Sequence, residues 1–152
     1  CTRGVGELVP VDITKIGRQG VNSNIPELPA LTGKKVAVIG GGVAGISVAW
    51  QIRLKGHEAV IFDMAETLGG KIASAIPETR IPNDVVQAEL ERVNKVLPHI
   101  RLNSEMTLDE FERIRDDYDF VVLAVGAHGA DGRVAGLNSR QSHGFLLCRF
   151  NL

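Results

Sequence analysis

Three glycines at a fixed spacing are the residues of this chain that first indicate chemistry. Gly40, Gly42 and Gly45 fit the pattern G-x-G-x-x-G and follow an apolar run, VAVI. In a dinucleotide-binding fold, the first glycine permits the tight turn out of a strand, the second lets the backbone approach the pyrophosphate, and the third lets the helix pack closely on the strand. The free N–H groups of the helix N-terminus point at the pyrophosphate. The pattern therefore predicts a site for a cofactor with an ADP half, which nicotinamide and flavin dinucleotides share.

An acidic residue at the end of a second strand makes this prediction more specific. Asp63 follows the apolar run Glu58–Phe62. Its carboxylate can accept hydrogen bonds from ribose hydroxyls, and it would repel a 2′-phosphate, so NADP is disfavoured at this site. The fingerprint requires a βαβ unit. This unit consists of a strand, the glycines, a helix and a second strand that ends at an acidic residue. The alternative is an ordinary βαβ turn with a solvated aspartate.

Hydrophobic periodicity and turn residues predict the elements that position these groups. The whole pattern is typical of an α/β fold, a Rossmann-like parallel sheet with flanking helices. The predicted elements are a strand at 34–39, a helix at 44–54 with Gly56 at its C-cap, a strand at 58–62, a long loop at 64–82, a helix from 83 or 84 to 97, a strand at 99–106, a short helix from the Thr107–Glu110 capping box to Ile114, a strand at 119–126, and a last strand or interrupted element within 145–152.

Composition and charge exclude several classes of protein. The chain has 152 residues with a formal net charge of -1 and 44% hydrophobic residues, so no electrostatic argument favours nucleic acid or an anionic membrane. No apolar run approaches the roughly 20 residues that span a bilayer. Two cysteines, Cys1 and Cys148, cannot complete a four-ligand metal site, and we expect free thiols in the cytoplasm. We expect residues 1–32 to be a lead-in arm, 33–130 the cofactor domain, and 131–152 a tail or the truncated start of another element.

Three further motifs carry a resemblance to a known family. These motifs are LGGK at 68–71, AIPETRIPNDVV at 75–86 and YDFVVLAVGA at 118–127. They resemble three features of the glutamate synthase small subunit and its relatives: in that order, the Gly-Gly pair, the segment after it and the second flavoprotein motif. The resemblance implies FAD as cofactor, with the Gly-Gly pair close to its flavin half. It also implies NAD(P)H as electron donor, and onward transfer to iron–sulfur clusters or a partner subunit.

The chain departs from the family pattern in ways that keep other functions open. It has no second G-x-G-x-x-G, so we expect the NAD(P)H site to lie outside this chain and the chain to be an N-terminal FAD-binding portion. Ala75 replaces a glycine of the family, and Asp63 replaces the glutamate common in flavoproteins. The family places iron–sulfur cysteines upstream, and it stays open whether Cys1 is the last of such a set, since CTRGVGELVPVD contains no second cysteine. The alternatives are an amine-oxidase or desaturase-like flavoenzyme and a non-catalytic NAD-binding Rossmann module.

No residue is predicted to act as a protein acid or base, because the redox chemistry belongs to the cofactor. The four histidines (His57, His99, His128 and His143) have no Asp or Ser partner at a motif spacing. The predicted cofactor-binding residues are Gly40, Gly42, Val43, Ala44, Gly45, Asp63, Met64, Gly69, Gly70, Lys71, Arg80, Met106, Ala124, Val125 and Gly126.

Overall fold

The computed structural model describes residues 23–126 and 146–149. These residues form a five-stranded sheet in the order β3-β2-β1-β4-β5. The strands are β1 (Lys35–Ile39), β2 (Glu58–Phe62), β3 (Ile100–Arg101), β4 (Phe120–Leu123) and β5 (Leu146–Arg149), and the helices are α1 (Val43–Leu54), α2 (Lys71–Ala75), α3 (Asn83–Val96) and α4 (Leu108–Asp117). Strands β1 to β4 are parallel, whereas β5 runs antiparallel to β4. The predicted Rossmann-like fold is confirmed, with an antiparallel edge strand added to it.

The central strands are buried on both faces, as their continuous apolar runs predict. Val36 and Val38 of β1 belong to a cluster that includes Ala49 of α1 and Val96 of α3. The alternate residues of β1 point to the opposite face, where they join a second cluster that includes Ile114 of α4. Since both faces are covered by helices, the polar ends of the strands are where a ligand can reach the sheet.

Gly56 ends α1 as predicted. It adopts φ +83°, a left-handed conformation that glycine accepts without strain. An added Cβ would also lie 2.8 Å from the carbonyl oxygen of Ala30. The Thr32 N–H donates to the Gly56 carbonyl at 2.7 Å, and Ile25 and Leu28 pack against the first core cluster. The described part of the predicted arm therefore lies against the end of α1. The boundaries at 32/33 and 130/131 remain predictions.

Two predicted elements differ most from those observed, and the strand predicted for 119–126 is shortened to Phe120–Leu123. The loop predicted for 64–82 contains α2, a five-residue helix too short for periodicity to reveal. The strand predicted for 99–106 is reduced to Ile100–Arg101. The chain turns at Asn103, which has φ +52°, and the N–H groups of Asn103 and Ser104 donate to the carbonyls of Ala65 and Asp63. The segment therefore crosses the end of β2 instead of continuing beside it.

The capping box predicted the start of α4 correctly. The Thr107 hydroxyl accepts a hydrogen bond from the Glu110 N–H at 3.2 Å, which satisfies one of the free N–H groups of the first turn. The helix continues to Asp117, past the predicted end at Ile114.

Asp119 joins the amino ends of β1 and β4. Its carboxylate accepts a hydrogen bond from Lys34 Nζ at 2.6 Å and from the Lys35 N–H at 2.9 Å. The hydrogen bond from the Lys34 side chain, followed by that from the Lys35 N–H, lowers the pKa of Asp119. Asp119, the acidic residue within YDFVVLAVGA, thus lies at the opposite end of β4 from the glycine turn, where it has a structural role.

We expect the stabilisation by Asp119 to be lost in acid. A depressed folded-state pKa means that the contribution is present above the unfolded pKa of about 3.9 and is lost as the pH falls through the lower folded value. Asp119→Asn should therefore lower the melting temperature at pH 7, and its difference from the wild type should shrink below about pH 4. Thermal melts across this range test the expectation, with Asp116→Asn as a control because Asp116 is an exposed partner of its neighbour Arg115. A difference that persists unchanged at low pH would contradict it.

Within residues 23–126 and 146–149, no helix is long and apolar enough to cross a membrane. The predictions made for Cys1, His128 and His143 lie outside the described residues.

Candidate dinucleotide-binding site

The carboxyl ends of three parallel strands meet at one edge of the sheet. Gly40, Asp63 and Ala124 directly follow β1, β2 and β4. The backbone pairing extends one residue past the strands, since the Gly40 N–H donates to the Phe62 carbonyl at 2.8 Å and the Ala124 N–H donates to the Ile39 carbonyl at 2.7 Å. In open α/β sheets, ligands bind in the crevice outside such strand ends. The structure thus brings the first and last predicted motifs together.

Gly40 is required at this edge for two reasons. Its φ of +109° lies in a region that L side chains rarely adopt, and a Cβ would lie 2.3 Å from the carbonyl oxygen of Ala124. Ala124 itself is 5% exposed. The turn out of β1 therefore passes directly against the backbone that follows β4, which explains the need for small residues in both motifs.

Gly45 lets α1 pack on the turn that precedes it. A Cβ at this position would lie 1.8 Å from the Gly40 carbonyl oxygen and 3.4 Å from a methyl group of Val38. This close approach agrees with the predicted packing role of the third glycine. It also fixes the direction in which the N-terminus of α1 points.

The N-terminus of α1 suits an anion. The helix begins at Val43 with no acidic residue in its first turn, and its N-cap residue, Gly42, supplies no side-chain hydrogen bond. The first N–H groups of a helix have no intrahelical acceptor, and they carry the positive end of the helix dipole. Val43 is 56% exposed, and Ala44 is also exposed. The predicted residues Val43 and Ala44 therefore lie at an accessible, electropositive helix end.

Gly42 presents an open face beside this helix end. The nearest atom to an added Cβ is the Gly70 Cα, at 3.9 Å, which is an ordinary van der Waals contact. The backbone has φ -76° and ψ -176°, an extended conformation open to any residue. Folding alone therefore does not require a glycine here, whereas a ligand that approaches the backbone closely would require one.

Asp63 accepts two backbone hydrogen bonds within the site. Its Oδ2 accepts from the Gly41 N–H and its Oδ1 accepts from the Ala65 N–H. Each carboxylate oxygen has a second lone-pair direction, so ribose hydroxyls can still donate to it. Met64, directly after Asp63, is 64% exposed and offers an apolar surface beside the carboxylate.

The Gly69-Gly70 pair lies backbone to backbone against the glycine loop. Gly69 pairs with Gly42 in an isolated parallel bridge, and the Gly69 N–H donates to the Gly41 carbonyl at 2.9 Å. Both glycines have positive φ, at +109° and +54°, and a Cβ on Gly70 would lie 3.0 Å from the Gly42 Cα. The pair predicted from the LGGK motif therefore lies against the glycine loop at the same edge of the sheet.

The remaining predicted residues differ in how exposed they are. Lys71 is exposed at the start of α2, next to Gly70, and Arg80 is exposed in the turn between α2 and α3. Met106 and Val125 are half-buried against the second core cluster, so part of each side chain is occupied by packing. Gly126 is exposed with φ +72°. Within residues 23–126 and 146–149, no side-chain hydrogen bond or ion pair joins Arg80 to the glycine loop.

Two residues of the site were not predicted. Gly41 occupies an unrestricted x of the fingerprint, yet an added Cβ would lie 2.6 Å from Leu68 Cδ2 and 3.0 Å from Asp63 Oδ2. Leu68 is 5% exposed and belongs to the first core cluster. Two features of the sequence could have identified these residues. They are the run of three glycines, which includes Gly41, and the apolar Leu68 directly before the Gly-Gly pair.

Several known proteins are similar to this chain in sequence. A family model described as an NAD(P)-binding Rossmann-like domain matches residues 38–94. The chain is 38% identical over 106 residues to the beta subunit of an NADP(+)-dependent formate dehydrogenase from Moorella thermoacetica, covering 68% of this chain and 15% of that protein. It is 33% identical over 130 residues to the small chain of Escherichia coli glutamate synthase [NADPH], covering 75% of this chain and 28% of that protein.

A solved structure shows the same fold at lower identity. Histamine dehydrogenase from Rhizobium sp. 4-9 superposes with a TM-score of 0.54 at 22% identity, covering 76% of this chain and 17% of the other.

The fold is that of a Rossmann-like domain, and residues 38–94 match the model described as an NAD(P)-binding Rossmann-like domain. Its named relatives are oxidoreductases, and the resemblance to the glutamate synthase small chain is confirmed. The chain spans less than a third of the length of these relatives, 15% of the formate dehydrogenase subunit and 28% of the E. coli small chain.

Proposed function

We propose that this chain is the FAD-binding portion of an NAD(P)H-dependent oxidoreductase similar to the glutamate synthase small subunit. The observation that carries the proposal is the backbone bridge between Gly42 and Gly69. An NAD-binding Rossmann domain needs only the glycine loop and the acidic residue of β2. A Gly-Gly pair lying against that loop extends the crevice beyond the ADP half, and the resemblance associates such a pair with the flavin half.

The residues present suit the ADP half of this cofactor. The pyrophosphate would lie on the open face of Gly42, which an added Cβ would fill, and at the N–H groups that begin α1. Asp63 would accept hydrogen bonds from the ribose hydroxyls. Its negative charge would repel a 2′-phosphate, so FAD or NAD fits this site and NADP does not.

The flavin half would lie toward the other walls of the crevice. When bound, the isoalloxazine ring supplies the redox chemistry by accepting a hydride from NAD(P)H. Gly69 and Gly70 would let the chain pass close to the cofactor, and Ala124, Val125 and Gly126 would lie under it. Lys71 and Arg80 would meet the cofactor or its phosphates, while Val43, Ala44, Met64 and Met106 would complete the contacts.

Electron transfer would involve groups outside this chain. We place the NAD(P)H donor at a site outside it, and the acceptor in an iron–sulfur domain or a larger subunit. Relatives named as a beta subunit and as small chains support a role in a multi-subunit protein. The two cysteines, interpreted as free thiols, support a cytoplasmic location.

Retention of cofactor after desalting tests the proposal. The full chain, incubated with excess FAD and desalted, should keep close to one FAD per protein, detected by flavin absorbance, whereas NAD in a parallel sample should be lost. Gly42→Val provides the matched control, because its added side chain would occupy the place of the pyrophosphate. A protein that keeps NAD and releases FAD would show that the site is a nicotinamide site.

A further inference from the structure

Asn103 adopts a backbone conformation that side chains rarely accept. Its φ is +52°, and within residues 23–126 and 146–149 it is the one residue other than glycine with a positive φ. Asparagine tolerates this left-handed region better than most residues, whereas a β-branched residue does not. The Asn103 side chain is exposed, so tight packing around it does not explain the conformation. Backbone of this kind persists only where the surrounding structure holds it, and it is concentrated at functional sites.

Two successive N–H groups of this turn hold the loop that carries Asp63. The Asn103 N–H donates to the Ala65 carbonyl at 3.0 Å, and the Ser104 N–H donates to the Asp63 carbonyl at 2.9 Å. The φ and ψ torsions of Asn103 lie between these two N–H groups and therefore set the angle between them. Both hydrogen bonds together depend on the left-handed conformation of Asn103.

Ala65 connects this turn to the carboxylate of Asp63. The Ala65 carbonyl accepts the hydrogen bond from Asn103, while the Ala65 N–H donates to Asp63 Oδ1 at 2.7 Å. The turn thus holds the loop, and the loop holds the carboxylate. A side chain whose direction is fixed by supporting hydrogen bonds presents its charge at one place in a binding site.

The chain on both sides of Asn103 is anchored by packing. Leu102 packs against the first core cluster and Met106 packs against the second. Since these clusters lie on opposite faces of the sheet, the segment has to cross the end of β2 between them. A residue that does not accept φ +52° therefore relaxes most easily by giving up the two hydrogen bonds to the loop, while the sheet and its core stay in place.

We propose that Asn103 is a positioning residue that sets the preference of the site for a free ribose over a 2′-phosphate, and that it acts through Asp63. The inference rests on the proposed function, in which Asp63 accepts hydrogen bonds from ribose hydroxyls and repels a 2′-phosphate. Release of the loop weakens both effects at once. The acceptor moves away from the hydroxyls, and the negative charge moves away from the place of the phosphate.

The affinities of the full chain for ADP and 2′-phospho-ADP, measured by titration calorimetry, test this inference. The two probes differ only in the 2′-phosphate. Asn103→Val should weaken ADP about tenfold, the loss that corresponds to one misplaced hydrogen bond to a charged group. Because 2′-phospho-ADP is then repelled less, the preference for ADP should fall by at least a similar factor. An equal loss for both probes would indicate a general structural effect and would overturn the inference.

Asn103→Gly provides the matched control, because glycine adopts a positive φ without strain. It removes the whole side chain, yet it should keep the affinity and the preference of the wild type. Asn103→Ala should lie between the two variants, and it replaces the valine variant in the comparison if that variant does not fold. A glycine variant as impaired as the valine variant would show that the amide side chain is required instead of the backbone conformation, and the inference would be wrong.

A second background tests whether Asn103 acts through the carboxylate. In Asp63→Ala, the further change Asn103→Val should alter the affinity for ADP by less than about twofold, as expected for two residues that act as a unit. A loss as large as that in the wild-type background would show that Asn103 affects the site by another route.

Failure of the proposed function gives a different pattern. A wild-type chain that does not bind ADP, or that binds ADP and 2′-phospho-ADP equally well, would contradict the assignment of Asp63 to the ribose and the inference with it. A wild-type preference for ADP that Asn103→Val leaves intact would contradict only the role of Asn103.

Discussion

Replacing Gly42 with valine is expected to abolish measurable FAD binding while leaving the chain folded. The extended backbone of Gly42, with φ -76° and ψ -176°, accepts any residue, and an added Cβ has only the Gly70 Cα at 3.9 Å as a neighbour. The same open face is where the pyrophosphate would approach the backbone. A loss of at least a hundredfold in affinity, about 2.7 kcal/mol, is expected in FAD titrations. Circular dichroism melts should show a transition within a few degrees of the wild type.

Gly42→Ala gives the graded version of this experiment. Its single methyl group intrudes less, so we expect an affinity between those of the wild type and the valine variant. Wild-type affinity in Gly42→Val would show that the pyrophosphate does not lie on this glycine. A strongly lowered melting temperature would instead show that the face is filled by the protein itself.

Local sequence signals predicted the elements that hold this site. Glycine next to a β-branched run located β1 and the start of α1, and Asp63 marked the end of β2. The spacing of Thr107 and Glu110, three residues apart, predicted the hydrogen bond from the Glu110 N–H to the Thr107 hydroxyl. Each of these signals lies within a short window of the chain, so local patterns were sufficient to find the elements.

Contacts between distant segments could not be found in the same way. The crowding at Gly41 comes from Leu68 and Asp63, which are close to it only after β2 pairs with β1. The predicted strand at 99–106 stops early because Asn103 and Ser104 bond to the loop after β2. The partner of Asp119 could not be predicted either, because Lys34 lies 85 residues away in the chain and meets it only when β1 and β4 pair.

Gly45→Ala is expected to lower the stability of the fold, whereas Gly42→Ala is expected to lower the affinity for the cofactor. Both variants add one methyl group to the same loop. At Gly45 the Cβ would lie 1.8 Å from the Gly40 carbonyl oxygen. Both atoms are fixed by the backbone, so no rotamer change relieves the overlap, and α1 must move away from the turn after β1. Overpacking of this kind costs about 1–3 kcal/mol, occasionally more, so the melting temperature of a chain of this length should fall by about 6–12 °C at the upper value.

The comparison of the two alanine variants distinguishes a glycine needed for folding from a glycine needed for a ligand. Melts without cofactor should place Gly45→Ala far below the wild type and Gly42→Ala close to it. FAD titrations below both melting temperatures should still show weakened binding by Gly42→Ala. Equal stability of the two variants would mean that α1 does not rest on the Gly40 carbonyl. The direction of the helix N-terminus, on which the anion site depends, would then have to be different from the one described.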